Sequence, residues 1–324
     1  MEIRVAYACD ENYAALTAIS AVSLLKHNPG ATIVLLGCNL GHSALEMVRS
    51  RVEKAGGVFV YEDVSKSISN IAATGTSGYT SYAAYARVLI ANALGDNGRV
   101  LYLDCDTLVT GPLQELFEMP LKGRPCAMGI DCIPFAYHKY INMEKNSIYF
   151  NSGVMLINLG EWRKQKCQER FLKEVSAPHG PNPLGDQDIL VRLFSEDTMP
   201  ISPKWNFLSQ FFLVSYHGLK RIVAPQRLPF SEKEYDGDKK DVRICHFSGH
   251  TLGRPWYKNS RHPMRAAYRQ SARDAGLPDV AEQARPLPLS YRIQYFLYRL
   301  LPQRLFDRAC HLLYRMNIRF NYHV

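Results

Sequence analysis

The sequence predicts an α/β fold, a mostly parallel sheet flanked by helices, followed by a basic helical tail. Three observations carry that expectation. In the first third of the chain, short apolar runs rich in strand formers alternate with stretches of helical apolar spacing, the pattern of repeated strand and helix units. Acidic clusters, "DEN" at 10–12 and "DCD" at 104–106, stand directly after two of those runs, at the sheet edge where such folds hold their ligands. The chain has 324 residues, 47% of them hydrophobic and 21% charged, enough for one large core plus an appendage.

Taken in order, "EIRVAYAC" (2–9) reads as a strand, "DENY" as a loop and "AALTAISAVSLLKHN" as a helix stopped by Pro29 and Gly30. "ATIVLLGC" (31–38), a helix from about Ser43 to Ala55, and "GVFVYE" (57–62) repeat the alternation. A helix-like stretch around 81–94 precedes the strand in "RVLYLDCDTLVTG" (99–111). "SIYFNSGVMLINL" (147–159) reads as a strand pair or an extended segment, "GEWRKQKCQERFLKEV" (160–175) as a helix with exposed charges, and "DQDILVRLF" (186–194) as a shorter helix. Residues 196–262, rich in Pro, Gly and aromatics with little periodicity, predict long ordered loops over a site.

Several classes are excluded as expectations. The start lacks a basic region followed by an apolar segment, and no run of about 20 strongly apolar residues occurs, so neither export nor membrane spanning is indicated. The eight cysteines lack CxxC spacing and several lie in strand-like runs, which fits reduced thiols in a cytosol. The net charge of +9 is uneven: residues 285–324 hold seven Arg against one acid, Asp307. The chain therefore divides into a body, 1–284, and a tail, 285–324.

Asp104 and Asp106 pose the chemical question. Residues 100–103 are apolar or aromatic, so the two carboxylates emerge from a buried strand, and an extended segment points both to one side. Two carboxylates held that close repel unless a cation lies between them, and hard divalent ions such as Mn²⁺ or Mg²⁺ take oxygen ligands. A helix cap or turn is the plainer use of such residues. "DCDTL" also fits the DxDxT pattern of haloacid-dehalogenase-like phosphatases. That family places the motif on its first strand, whereas about 100 residues precede it here.

Separated motifs in order point elsewhere: "YACDENYAALTAISAVSLL" (7–25), "YARVLIA" (85–91), "VLYLDCDTLV" (100–109), "YFNSGVMLINLGEWR" (149–163), "GDQDIL" (185–190) and "HFSGHTLGRPW" (246–256). Over residues 3–260 the chain resembles the family 8 retaining glycosyltransferases, which include bacterial lipopolysaccharide galactosyl- and glucosyltransferases and glycogenin. The resemblance implies a Rossmann-like nucleotide-sugar-binding sheet of the GT-A type. It implies metal ligands Asp104, Asp106 and His246, with His250 a rival, and Mn²⁺ as cofactor, Mg²⁺ being the alternative. It places Ala8, Asp10, Asn12 and Tyr13 around the nucleotide of a UDP-hexose, with Arg87, Asp104, Cys105, Asn151, Gly249 and Arg254 as further donor-binding positions. Arg254 departs from the family's usual pattern: two extra residues follow the histidine, and a lysine there is replaced by arginine, which can still bind phosphate. Asp131, Asp186 and Gln187 are the implied catalytic positions around the hexose. Retention of configuration then follows either by same-face attack or through a covalent intermediate on Gln187 or Asp186. An amide is a poor nucleophile, which favours the first.

"SYRIQYFLYRLLPQRLFDRACHLLYRMNIRFNYHV" (290–324) reads as two amphipathic helices broken at Pro302. Arginines interleaved with aromatics, nearly without acids, compose a helix that lies in an anionic lipid interface. Nucleic acid is set aside because the body carries sugar-nucleotide motifs. The expected partners are a UDP-sugar, a glycolipid or oligosaccharide acceptor and an anionic membrane surface, at the cytoplasmic face of a bacterial inner membrane. The function so implied is metal-dependent transfer of galactose or glucose onto a lipopolysaccharide or lipooligosaccharide core. The rivals are the phosphatase and an inactive sugar-nucleotide-binding membrane protein.

Overall fold

Continuous apolar runs with few interruptions form the strands of a central sheet because both faces are covered. A computed structural model describes residues 2–72, 82–95, 98–144, 147–249 and 251–322. Among the described residues ten strands occur in chain order: β1 (Arg4–Cys9), β2 (Thr32–Gly37), β3 (Val58–Asp63), β4 (Arg99–Leu103), β5 (Thr107–Val109), β6 (Cys126–Ile130), β7 (Phe150–Asn158), β8 (Thr198–Pro200), β9 (Phe207–Leu208) and β10 (Ile244–His246). The large sheet has seven strands in the order β3-β2-β1-β4-β7-β6-β8. Its pairings are parallel except that β7 runs antiparallel to both β4 and β6. A small sheet, β5-β10-β9, stands at the carboxyl end of β4.

Helices Ala14–His27, His42–Lys54 and Arg265–Asp274 cover one face of the large sheet, packing Leu24, Val48 and Tyr268 with Val5, Ile33 and Leu101. On the other face Ile68, Tyr85, Trp162, Phe171 and Phe194 pack over Val34, Tyr102 and Met155. All eight cysteines are buried free thiols, as expected.

Four local expectations are corrected. Residues 104–106 form a tight turn between β4 and β5 rather than continuing the strand, closed by the Thr107 hydroxyl donating to the Asp104 carbonyl at 2.8 Å. Around Arg87 the backbone is a 3₁₀ helix, Tyr82–Leu89, before α-helix Ile90–Leu94. The helix expected over 160–175 is two, Leu159–Lys164 and Cys167–Ser176, broken where Lys166 takes a left-handed conformation with φ 53°. Helices Tyr216–Val223 and Glu232–Asp238 lie within the stretch read as loops, the second started by a capping box at Ser231 and Glu234.

The tail forms helices Leu289–Leu300 and Gln303–Tyr322, separated at Pro302. Phe306 and Cys310 are buried beside Leu219 and Ile222. The buried carboxylate of Asp307 accepts from the Ser215 hydroxyl at 2.6 Å and from the Gln303 amide at 2.9 Å. Gly218 makes this approach possible, because a Cβ there would lie 2.4 Å from Asp307 Oδ1. Along the outer side Leu289, Ile293, Phe296 and Leu300, then Leu305, Leu312 and Met316, are exposed. No helix of the described residues is long and apolar enough to cross a membrane.

Candidate active site

The small sheet brings the histidine to the aspartates. β10 runs antiparallel to β5, with His246 opposite Thr107, and the Phe247 N–H donates to the Asp106 carbonyl at 2.9 Å. His246 Nε2 is thereby 3.2 Å from Asp106 Oδ1 and 3.7 Å from Asp104 Oδ2. One ligand atom from each of these three residues lies within 4.8 Å of the others. Two carboxylate oxygens and an imidazole nitrogen suit a hard or borderline divalent ion. Room for the cluster comes from Gly153: a Cβ there would lie 2.7 Å from Asp104 Oδ2 and still closer to the His246 ring. The residues present thus fit a divalent metal. His250 lies outside the described residues.

Cations surround the carboxylates. Arg254 pairs with Asp106 through a short contact to Oδ2. Burial favours the protonated form of Asp106, yet His246 and Arg254 outweigh it and hold this carboxyl well below the usual range. Asp104 Oδ1 accepts from the Tyr102 hydroxyl at 2.8 Å and pairs with Arg87 at 3.1 Å. Arg87, expected beside donor sugar and phosphate, is buried: it donates to the Ser152 hydroxyl at 2.8 Å and the Ala84 carbonyl at 2.9 Å. Its Nε lies 2.8 Å from Asp186 Oδ2. Since that N–H is aimed at Ala84, the Asp186 oxygen gains charge attraction without a hydrogen bond. Burial consequently pushes the Asp186 carboxyl up to about 7, against the pull of Arg87.

The residues expected around the hexose meet at an irregularity in β7. Its register with β6 shifts between Met128 and Gly129, so that Asn151, Ser152 and Gly153 turn toward the aspartates. Asp131 Oδ2 accepts from the Asn151 and Gln187 amides, each at 3.0 Å, and Oδ1 from the Cys132 N–H at 2.6 Å. Gln187 Oε1 in turn accepts from the Ser152 N–H at 3.0 Å. Both ends of the Gln187 amide are therefore engaged. Asp188 heads this network from below, accepting from the hydroxyls of Tyr149 and Tyr137 and from the Leu184 N–H at 2.7 Å.

The residues expected around the nucleotide line the carboxyl end of β1. Asp10 Oδ1 accepts from the Asn12 and Tyr13 N–H groups at 3.0 and 3.2 Å, turning the chain into helix Ala14–His27. The side chains of Asn12 and Tyr13 are left exposed, while the Ala8 carbonyl accepts from the Cys105 thiol at 3.2 Å. Gly249, with φ 135°, lies against Gln210, where a Cβ would come within 2.7 Å of the side-chain amide. A cavity of about 520 Å³ opens there, between Pro134, Gln210 and Gly249 on the body and Tyr291, Gln294 and Tyr314 on the tail. One further residue was missed by sequence reading: Asn206, fully buried, whose Oδ1 lies 3.1 Å from His246 Nδ1 and whose amide donates to Asn151 Oδ1 at 2.9 Å. Only its position among aromatics in "KWNFL" could have drawn notice.

The model of the family described as glycosyl transferase family 8 matches residues 4–260. The chain is 28% identical over 196 residues to general stress protein A of Bacillus subtilis, covering 59% of this chain and 65% of that one. It is 30% identical over 214 residues to a lipopolysaccharide 1,2-glucosyltransferase of Escherichia coli, covering 62% and 61%. The chain thus spans less than two thirds of the length of these relatives. Among solved structures, the galactosyltransferase LgtC with donor and acceptor sugar analogues superposes with a TM-score of 0.68 at 24% identity, over 90% of this chain and 99% of that one. The phosphatase pattern is not the one the chain follows.

Proposed function

The chain belongs to glycosyltransferase family 8, and on that premise we propose that it transfers a hexose, galactose or glucose, from a UDP donor with retention of configuration onto a lipopolysaccharide or lipooligosaccharide core. One observation carries the reading: Asp104, Asp106 and His246 converge at the sheet edge where Gly153 leaves space for an ion. When bound there, a divalent ion, Mn²⁺ by preference for the mixed ligand set, would neutralise charge on the diphosphate.

The remaining work falls to side chains. Departure of the diphosphate leaves an oxocarbenium-like sugar and negative charge on phosphate oxygen, and Arg254, beside Asp106, is the cation within reach of that charge. Asn12 and Tyr13 are free at the sheet edge for ribose and base. Asp186, buried and paired with Arg87, which also pairs with Asp104, supports the site by holding that arginine in place. The Gln187 amide, engaged at both ends, supports same-face attack over a covalent intermediate on that residue. The cavity beside Gly249 suits the acceptor, because Tyr137, which also lines it, bonds Asp188 beneath the sugar-side network. The E. coli relative, named for action on lipopolysaccharide, supports the acceptor class. The exposed apolar stripe of the arginine-rich tail supports peripheral attachment to the cytoplasmic face of an inner membrane.

The test is UDP release across a panel of UDP-hexoses, with and without Mn²⁺, in wild type and Asp104→Asn. Release that needs Mn²⁺ and falls at least 100-fold in the variant is expected. Normal turnover by the variant would contradict the metal assignment. Hydrolysis of p-nitrophenyl phosphate without any UDP release would restore the phosphatase, and donor binding with no release, whatever the acceptor, would favour the inactive sensor.

A further inference from the structure

A histidine ligates a metal through one ring nitrogen only if its proton is held on the other, and the group facing that other nitrogen decides it. The assignment can be made here from donors that have no alternative. The Ser152 and Gly153 backbone N–H groups can only donate. They face Gln187 Oε1 at 3.0 Å and Asn151 Oδ1 at 3.1 Å, which sets the orientation of both amides. The NH₂ groups of Gln187 and Asn151 then both point at Asp131 Oδ2. Because Asn151 Oδ1 accepts, Asn206 must present its NH₂ to it, at 2.9 Å, and its oxygen to His246 Nδ1, at 3.1 Å. His246 Nδ1 therefore carries a proton, and Nε2 is the nitrogen directed at Asp104 and Asp106. Asn206 is fully buried and its place is reserved by Gly129, where a Cβ would lie 2.9 Å from that of Asn206.

We propose that Asn206 is a positioning residue that holds His246 in the Nδ1–H form for metal binding and joins the metal ligands to the amides of the sugar side. The inference rests on the proposed function and adds to it a coupling: one amide, bonded at both ends, transmits order between ion and hexose. Asn206→Leu keeps the branching at Cγ and the number of heavy atoms and removes both bonds. Asn206→Asp keeps an acceptor for Nδ1–H but loses the donor to Asn151.

The experiment titrates Mn²⁺ into the full chain in the presence of UDP, following free Mn²⁺ by electron paramagnetic resonance, with circular dichroism to verify folding; Asn206→Ser replaces the leucine variant if leucine prevents folding. Binding 10- to 100-fold weaker in Asn206→Leu is expected, the loss typical of removing a partner behind a metal-ligating histidine. In Asn206→Asp, Mn²⁺ affinity should stay within about threefold of wild type, while KM for UDP-hexose rises relative to the inhibition constant of UDP, on the same principle. Wild-type affinity in the leucine or serine variant, or an equal loss in the aspartate variant, would overturn the proposal alone. No Mn²⁺ binding by the wild type would overturn the metal reading, and this inference with it.

Discussion

Asp188 and Asp186 are carboxyls that the fold buries beside the sugar-side network, and burial sets their behaviour. Asp188 is pushed up from 3.8 to about 6 by burial, against its hydrogen bonds from Tyr149, Leu184 and Tyr137. A carboxyl whose folded value is raised binds its proton more tightly in the native state, so between about pH 4 and pH 6 stability falls as pH rises, and the loss is complete above the folded value. Asp188→Asn removes that term. Denaturant midpoints measured at pH 4.5 and pH 7 should drop in wild type and change less in the variant, by roughly 2 kcal/mol; an equal drop in both would show that Asp188 is not the buried acid responsible. At this scale His246 was implied only by the family resemblance, while Asp104 and Asp106 were legible as candidate metal ligands because charge after a buried apolar run demands a reason. Asn206 was not, since an uncharged amide among aromatics shows its use only through its contacts. The bridge Arg87 makes between Asp104 and Asp186 was not legible either, since an arginine's sequence position does not disclose its internal partners.

At the scale of elements, the strands β1, β2, β3 and β4 and the helices Ala14–His27 and His42–Lys54 were legible from apolar runs and their spacing, whereas helix Ser65–Ala72 was not. The direction of β7 was not, because a continuous apolar run buried on both faces looks the same parallel or antiparallel. The strands that build the site are the short ones. β5, β9 and β10 have three, two and three residues, too few to show any period. Their pairing nonetheless places His246 across from Thr107 and beside the Asp104–Asp106 turn. The aspartates converge on the histidine through this turn, which gathers one ligand atom from each of the three residues within 4.8 Å.

In the whole molecule the tail is both packed and exposed. Asp307, Phe306 and Cys310 lock helix Gln303–Tyr322 onto helix Tyr216–Val223, while Leu289, Ile293, Phe296 and Leu300 face outward. Amphipathic spacing made both helices legible, but not which apolar residues would be consumed by the body. Replacing outward Phe296 and Leu300 by serine should lower co-sedimentation with phosphatidylglycerol vesicles at least tenfold, at about 1.5–3 kcal/mol for each apolar side chain buried. Unchanged sedimentation would refute attachment through this face; UDP release should be retained in either case. The central claim concerns the ion at the sheet edge. Calorimetric titration of UDP into the full chain, with and without Mn²⁺, tests it most directly: the account predicts binding at least 100-fold tighter with the ion, an advantage lost in Asp106→Ala, whereas equal affinity with and without Mn²⁺ would contradict it.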